Sequence, residues 1–218
     1  MRSSKRGLAL AGLLAVSTAF WATDWTVLAA DHFDPPARTD PSVDSHPDAA
    51  ADIADVYMWN TATDLIIAVT FAGPQPGNTA PTYDRDVLYT INISNAGLPT
   101  DAEVQIRYKF GQDANGNSGV QVTGLPDDPN TPLSGPVEKV LSRNGILVQA
   151  GLFDDPFFFD LQGFRDSKST GNLSIRNDRN FFAGQNDTGF VVQIPLSMIK
   201  GTAILNVWST TARFGGQI

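Results

Sequence analysis

The chain of 218 residues contains no cysteine. Disulfides, thiol nucleophiles, zinc–thiolate sites and iron–sulfur clusters are therefore excluded. Histidine is nearly as scarce, with only His32 and His46. Positive charge is also short: 15 Lys and Arg stand against 23 Asp and Glu, a formal net charge of −8. Nucleic acid and anionic lipid are bound through clustered Lys and Arg, so neither is an expected partner. The sequence lacks a Gly-x-Ser-x-Gly elbow, a Walker loop and a dinucleotide-binding glycine fingerprint. What is present is ordinary for a globular protein, with 42% hydrophobic and 17% charged residues, enough for one domain with a substantial core.

Residues 1–30 read as an export signal. Three positive charges lie between Met1 and Arg6, a 14-residue mostly apolar run covers Gly7–Phe20, and Val27–Leu28–Ala29 offers small residues where a signal peptidase reads. The apolar run is shorter than a bilayer requires and Asp24 interrupts its extension, although an uncleaved anchor is the alternative. Cleavage would leave about 188 residues with 12 basic and 22 acidic side chains. The expectation is a secreted or periplasmic protein with no membrane span after processing. Residues 31–52 form an acidic, Pro-rich arm holding Asp34, Asp40, Asp44, Asp48, Asp52 and both histidines. Either it is a solvated terminus, or it wraps back onto the domain and supplies ligands. The remaining 53–218 are read as the folded domain.

Within that domain the dominant period is two. Glu103–Phe110 alternates without a break, Val87, Tyr89, Ile91 and Ile93 repeat the pattern, and so do Phe190, Val192, Ile194 and Leu196. Leu65–Phe71 is apolar on both faces, as a central strand would be. Residues 146–153 and 203–211 are further strand candidates, and turn clusters such as Gly73–Asn78 bound the runs. Helical periodicity is confined to short pieces near Pro136–Ser142 and Leu196–Ile199. The pattern predicts an all-β fold: an antiparallel β-sandwich or a curved two-sheet barrel, with long loops and few short helices.

The most informative stretch is Asp154–Asp155–Pro156–Phe157–Phe158–Phe159–Asp160. Three phenylalanines favour burial while ionised carboxylates resist it, so the acids need cations, arginines or backbone N–H groups. Asp52, Asp55, Asp154, Asp155 and Asp160, with His32, are the candidate metal ligands, and Ca²⁺ is the expected ion because it takes six to eight oxygen ligands. The competing expectation is that these acids cap turns and pair with Arg165, Arg176 or Arg213. Asp113–Gly119 resembles an EF-hand loop but has Ser118 at the required glycine and Gly124 at the bidentate acid, so a hairpin is expected there. Asp155 and Asp160 could form a glycosidase-type carboxylate pair only if Pro156 redirects the chain, because strand alternation puts them on opposite faces.

Several of these elements together resemble those of a widespread group of secreted bacterial proteins classed as domain-of-unknown-function family 4331. The group opens with Ser-His-Arg-Glu-Ala-Pro, where this chain has Asp31–His32–Phe33–Asp34–Pro35–Pro36. His and the final Pro match, Asp replaces Glu, and Phe33 replaces the Arg, removing any role that needs a guanidinium. Asp52–Ile53–Ala54–Asp55–Val56–Tyr57 matches an Asp-x-x-Asp-Val-Tyr element, and the Asp-Asp-Pro-Phe-Phe core is intact at Asp154–Phe158. Phe182–Asn186 and Val207–Trp208 through Arg213 are similar to further signatures. The resemblance covers most of the processed chain and implies no assigned activity. It also implies a shortened member, because relatives commonly continue beyond the position of Ile218.

The function expected from these readings is an exported binding or structural module, stabilised by calcium, whose partner is an unknown small molecule or protein. The alternative is an extracytoplasmic metal-dependent enzyme of hydrolase type using His32 and the same carboxylates. No catalytic residue is assigned.

Overall fold

The computed structural model of the protein describes residues 48–98, 100–199, 201 and 204–214. The expected signal segment, most of the acidic arm and both histidines lie outside the described residues. A 3₁₀ turn at Ala49–Ala51 leads into β1 (Ile53–Asn60) and β2 (Asp64–Pro76). Then come β3 (Val87–Ser94), β4 (Val104–Gln112), β5 (Ser118–Thr123), β6 (Leu133–Pro136), β7 (Leu141–Arg143) and β8 (Ile146–Asp154). A helix, α1 (Leu161–Thr170), separates β8 from β9 (Gln185–Pro195), and β10 (Asn206–Arg213) follows a second 3₁₀ turn at Leu196–Met198.

The strands form two open antiparallel sheets, ordered β1-β2-β9-β8-β7 and β10-β3-β4-β5-β6. The sandwich is realised and the closed barrel is not. Edges β1 and β10 meet along one side, and β6 and β7 along the other. Alternation explains the core. Ile67, Val69 and Phe71 of β2, Val148 and Ala150 of β8, and Phe190 and Val192 of β9 face Tyr89, Ile91, Ile106, Tyr108, Phe110 and Val122 of the second sheet. Aromatic pairs bridge the sheets: Tyr108 stacks on Phe190 with centroids 3.9 Å apart, and Phe71 meets Tyr89 at 4.1 Å. Each such ring buries a large apolar area and adds geometric preference beyond area alone.

Leu65–Phe71 lies between β1 and β9, so its double-sided apolarity has its expected cause. The two expected helical pieces turn out otherwise. Residues 136–142 run through strand ends and a turn, and Leu196–Met198 is a single 3₁₀ turn. Among the described residues the one α-helix falls where periodicity gives no signal, because Leu161–Thr170 lacks an apolar stripe. Its caps define it. Asp160 accepts the Gly163 N–H at 2.9 Å, and Gly171 closes the other end at φ 72°. Gly163 is required as well, since a Cβ there would fall 2.3 Å from Asp160 Oδ2 and 2.6 Å from the Ser174 carbonyl.

Residues 155–184 thus form an excursion carrying a second aromatic group, separate from the main core. Phe157 contacts Phe159 at 5.8 Å and Phe182 at 5.4 Å, and Phe159 contacts Phe164 at 5.5 Å. Phe158, between them, is 54% exposed, because successive side chains of an extended stretch lie on opposite faces.

Candidate functional site

The acids singled out in the sequence have different surroundings. Asp154 ends β8, opposite Asn186, and is exposed. Asp160 is buried and occupied: besides capping α1 it accepts the Arg176 N–H at 2.8 Å and the Arg179 guanidinium at 2.8 Å. Its cause of stabilisation is therefore plain. Burial opposes the charge, but the backbone donors and Arg179 outweigh it and hold the carboxyl below the usual range. The arginine in question is Arg179, which the sequence reading passed over. Arg176 instead pairs with Asp178, and Arg213 with Asp48 and Asp84.

Asp52 precedes β1 and accepts the Ala72 N–H on its carbonyl at 3.0 Å, tying the start of β1 to β2. Asp155 follows β8. Its N–H donates to the Gln185 carbonyl, and its own Oδ1 accepts the Phe157 N–H, both at 2.9 Å. That is ordinary Asp turn chemistry, and it fixes the direction of the carboxylate. Asp55 is buried in β1 and accepts the Tyr57 hydroxyl at 2.9 Å.

A residue the sequence reading did not select joins these groups. Asp187, in β9, is fully buried at 0% exposure. The register explains its position. Asp55 opposes Thr70 and Thr70 opposes Gly189, so these residues and Asp187 share the outer face of the first sheet, while Val69 and Phe71 face the core. The β2–β9 register slips between Phe71 and Gln75, which brings Gly73 beneath Asp187. A Cβ on Gly73 would sit 1.6 Å from Asp187 Oδ1, so glycine leaves the space that this carboxyl fills.

Neither oxygen of Asp187 has a hydrogen-bond partner, and the buried Thr70 hydroxyl beside it has none either. Thr70 stands near enough to temper the electrostatics of Asp187 without closing a hydrogen bond. Burial, then the negative charges of Asp155 and Asp55, push the Asp187 carboxyl up to about 7. The Tyr57 hydroxyl is raised by burial and by the same three carboxylates, Asp55, Asp155 and Asp187. Asp55 and Asp155 therefore both act on Asp187, and among the described residues no Lys or Arg pairs with Asp187. As they stand, no three acidic or histidine side chains among the described residues are grouped to hold a metal ion.

The signal that could have found Asp187 is simple: it is the one charged residue in the strand Gln185–Pro195. Its burial depends on the excursion and the bulge, which alternation does not report.

The fold and this corner define the class: a cysteine-free, antiparallel two-sheet sandwich carrying a carboxylate-rich outer corner. No protein-family model, no curated protein and no solved structure matches the chain. Among the described residues no helix is long and apolar enough to cross a membrane.

Proposed function

We propose that this chain is an exported binding or structural module and not an enzyme. The observation that carries the reading is the burial of Asp187 and Asp55 at this corner. Asp187, whose carboxyl is pushed up to about 7, is buried out of contact with solvent, and Asp55 is buried too. A general acid must reach a substrate within hydrogen-bond distance. Among the described residues, the surface depression of about 600 Å³ over β4–β6 and that of about 560 Å³ beside Phe158 and Ile175 are not lined by a corner carboxylate. Export is supported by the charged and apolar segments of residues 1–30. Membership of the unknown-function family, supported by the Asp154–Phe158 element, is part of the same proposal.

One observation favours the second reading, a metal-dependent hydrolase using His32 with these carboxylates: a carboxyl poised near neutrality is what general acid–base catalysis uses. A panel of ester, phosphate and glycoside substrates separates the two. No turnover by the purified chain is expected. Turnover lost in His32→Ala, with the fold intact by circular dichroism, would establish the enzyme instead.

A further inference from the structure

We propose that the outer face of the second sheet binds an anionic polysaccharide, a pyranose polymer bearing carboxylates or sulfates. This deepens the binding-module reading and rests on it, because it names the partner. None of the strands β3, β4, β5, β6 and β10 contains Asp or Glu, although the chain carries 23 acids. The strands of the first sheet, by contrast, hold Asp55, Asp64, Asp154 and Asp187. Tyr108 and Phe110 face the core, so Arg107 and Lys109 of β4 lie outside, successive on that face and exposed. Among the described residues the ion-paired cations are Arg85, Arg143, Arg176, Arg179 and Arg213, which leaves Arg107 and Lys109 without a carboxylate. The acids flanking β4 are already engaged. Glu103 accepts the Asn95 N–H at 2.9 Å, and Asp113 accepts the N–H groups of Asn115 and Asn117. An acidic protein thus presents one sheet face whose local charge is positive, and such a face complements an anion.

Further features select a sugar polymer over another anion. Val207 packs against the core, so Trp208 of β10 faces outward, opposite Asn92 of β3. An indole offers a flat apolar surface to the C–H face of a pyranose ring, with a donor N–H beside it. Side-chain hydrogen bonds then cross the sheet. Asn92 donates to the Thr210 hydroxyl at 3.4 Å, Gln105 donates to the Asn92 side-chain carbonyl at 2.9 Å, and Arg107 donates to Gln105. This ladder fixes the amides and the guanidinium in advance, and groups already ordered lose less entropy on binding. The guanidinium keeps further N–H donors for a carboxylate or a sulfate. Past Lys109 the face opens into the depression of about 600 Å³, where Gly111 and Gly119 oppose each other without side chains. Gln105 and Gly111 are six residues apart, about 20 Å along the strand, which suits several linked sugars better than one small anion. Nucleic acid fits poorly, because two cations cannot match the many phosphate contacts it needs.

The test runs the full chain in native gels cast with one polymer at a time: polygalacturonate, dextran sulfate, unmodified dextran or double-stranded DNA. Polygalacturonate or dextran sulfate retards the protein relative to a polymer-free gel, and the two arms separate a carboxylate ligand from a sulfate ligand. Dextran and DNA leave its mobility unchanged. Arg107→Gln combined with Lys109→Gln raises the apparent Kd by about tenfold or more, the loss expected for two charge-assisted contacts. Gly111→Leu does the same, because a Cβ there meets nothing within 4 Å and the new side chain fills the depression without displacing the fold. Trp208→Leu also weakens binding, with its circular dichroism spectrum unchanged; should it fail to fold, Gly111→Leu carries the test. Wild-type protein retarded by neither anionic polymer overturns the proposal, as does a double variant that binds like the wild type. Equal retardation by DNA or by dextran overturns it too, since charge alone or neutral sugar is then what the face reads. All of these results leave the module reading intact, which fails only on substrate turnover.

Discussion

Asp160 and Asp187 are both buried acids beside aromatic rings, and their partners give them opposite energetic signs. Asp160 receives two backbone N–H groups and a guanidinium. Asp160→Ala should therefore fray α1, release Arg179 and lower the thermal midpoint by several degrees, measured by circular dichroism at the helix wavelength. Tyr108 offers the reverse case. Its ring stacks on Phe190 in the centre of the core, but its buried hydroxyl has no partner. Replacing it by Phe keeps the stacking and removes an unsatisfied polar group, so Tyr108→Phe should leave stability unchanged or raise it by about 1 kcal/mol in chemical denaturation. A loss above about 1 kcal/mol would mean that the hydroxyl is satisfied in solution.

At the scale of elements, tight backbone approaches fix the joins between strands. Gly124 follows β5 at φ 79°, and a Cβ there would meet the Gln105 carbonyl at 1.9 Å. Both the left-handed conformation and the contact exclude a side chain. Gly124→Ala should cost on the order of 2 kcal/mol or more and displace the loop that carries the Arg143–Asp127 pair, which amide exchange in β4 and β5 would register. That pair is itself an element-level brace. Arg143 reaches both oxygens of Asp127, at 2.7 and 2.8 Å, from β7 to the loop before β6, and also holds the Thr131 and Asp128 carbonyls. Because the Asp127 side chain is only 4% exposed, Arg143→Ala leaves a nearly buried carboxylate uncompensated and should cost about 3 kcal/mol.

For the whole molecule, the titrating groups set a pH window. Asp127 is lowered from its usual 3.8, chiefly by Arg143. Its contribution is complete above the unfolded value and is lost as pH falls through the lowered folded value. Asp187 has the opposite sign, because its folded pKa is raised from 3.8 to about 7. Below the lower value both states hold the proton and it contributes nothing. Between the two values only the folded state holds it, so stability falls as pH rises, by on the order of 4 kcal/mol once both limits are passed. The net charge of −8 acts in the same direction at neutral pH. The protein should thus be most stable near about pH 5 and weaken toward about pH 8. Denaturation curves across that range should flatten in Asp187→Asn, and a wild type that gains stability toward pH 8 would contradict the assignment.

Much of this was determined by residue order alone. Strict alternation in Glu103–Phe110 and in Phe190–Leu196, and the two-sided apolarity of Leu65–Phe71, determine strands because side chains alternate across a sheet and one face must leave water. The absence of cysteine and the turn chemistry at Asp113–Gly119 are likewise local facts. Helix α1 was legible only through Asp160 and Gly171, since a polar helix without an apolar stripe has no periodic signal. The choice of Arg179 for Asp160, the slip of β2 against β9, and the convergence of Asp187 with Asp55, Asp155 and Thr70 were decided by tertiary structure. Each of these joins residues distant in sequence through sheet register and backbone spacing. Electrostatic fate depends on burial and on neighbours in space, neither of which a residue's position in the chain contains.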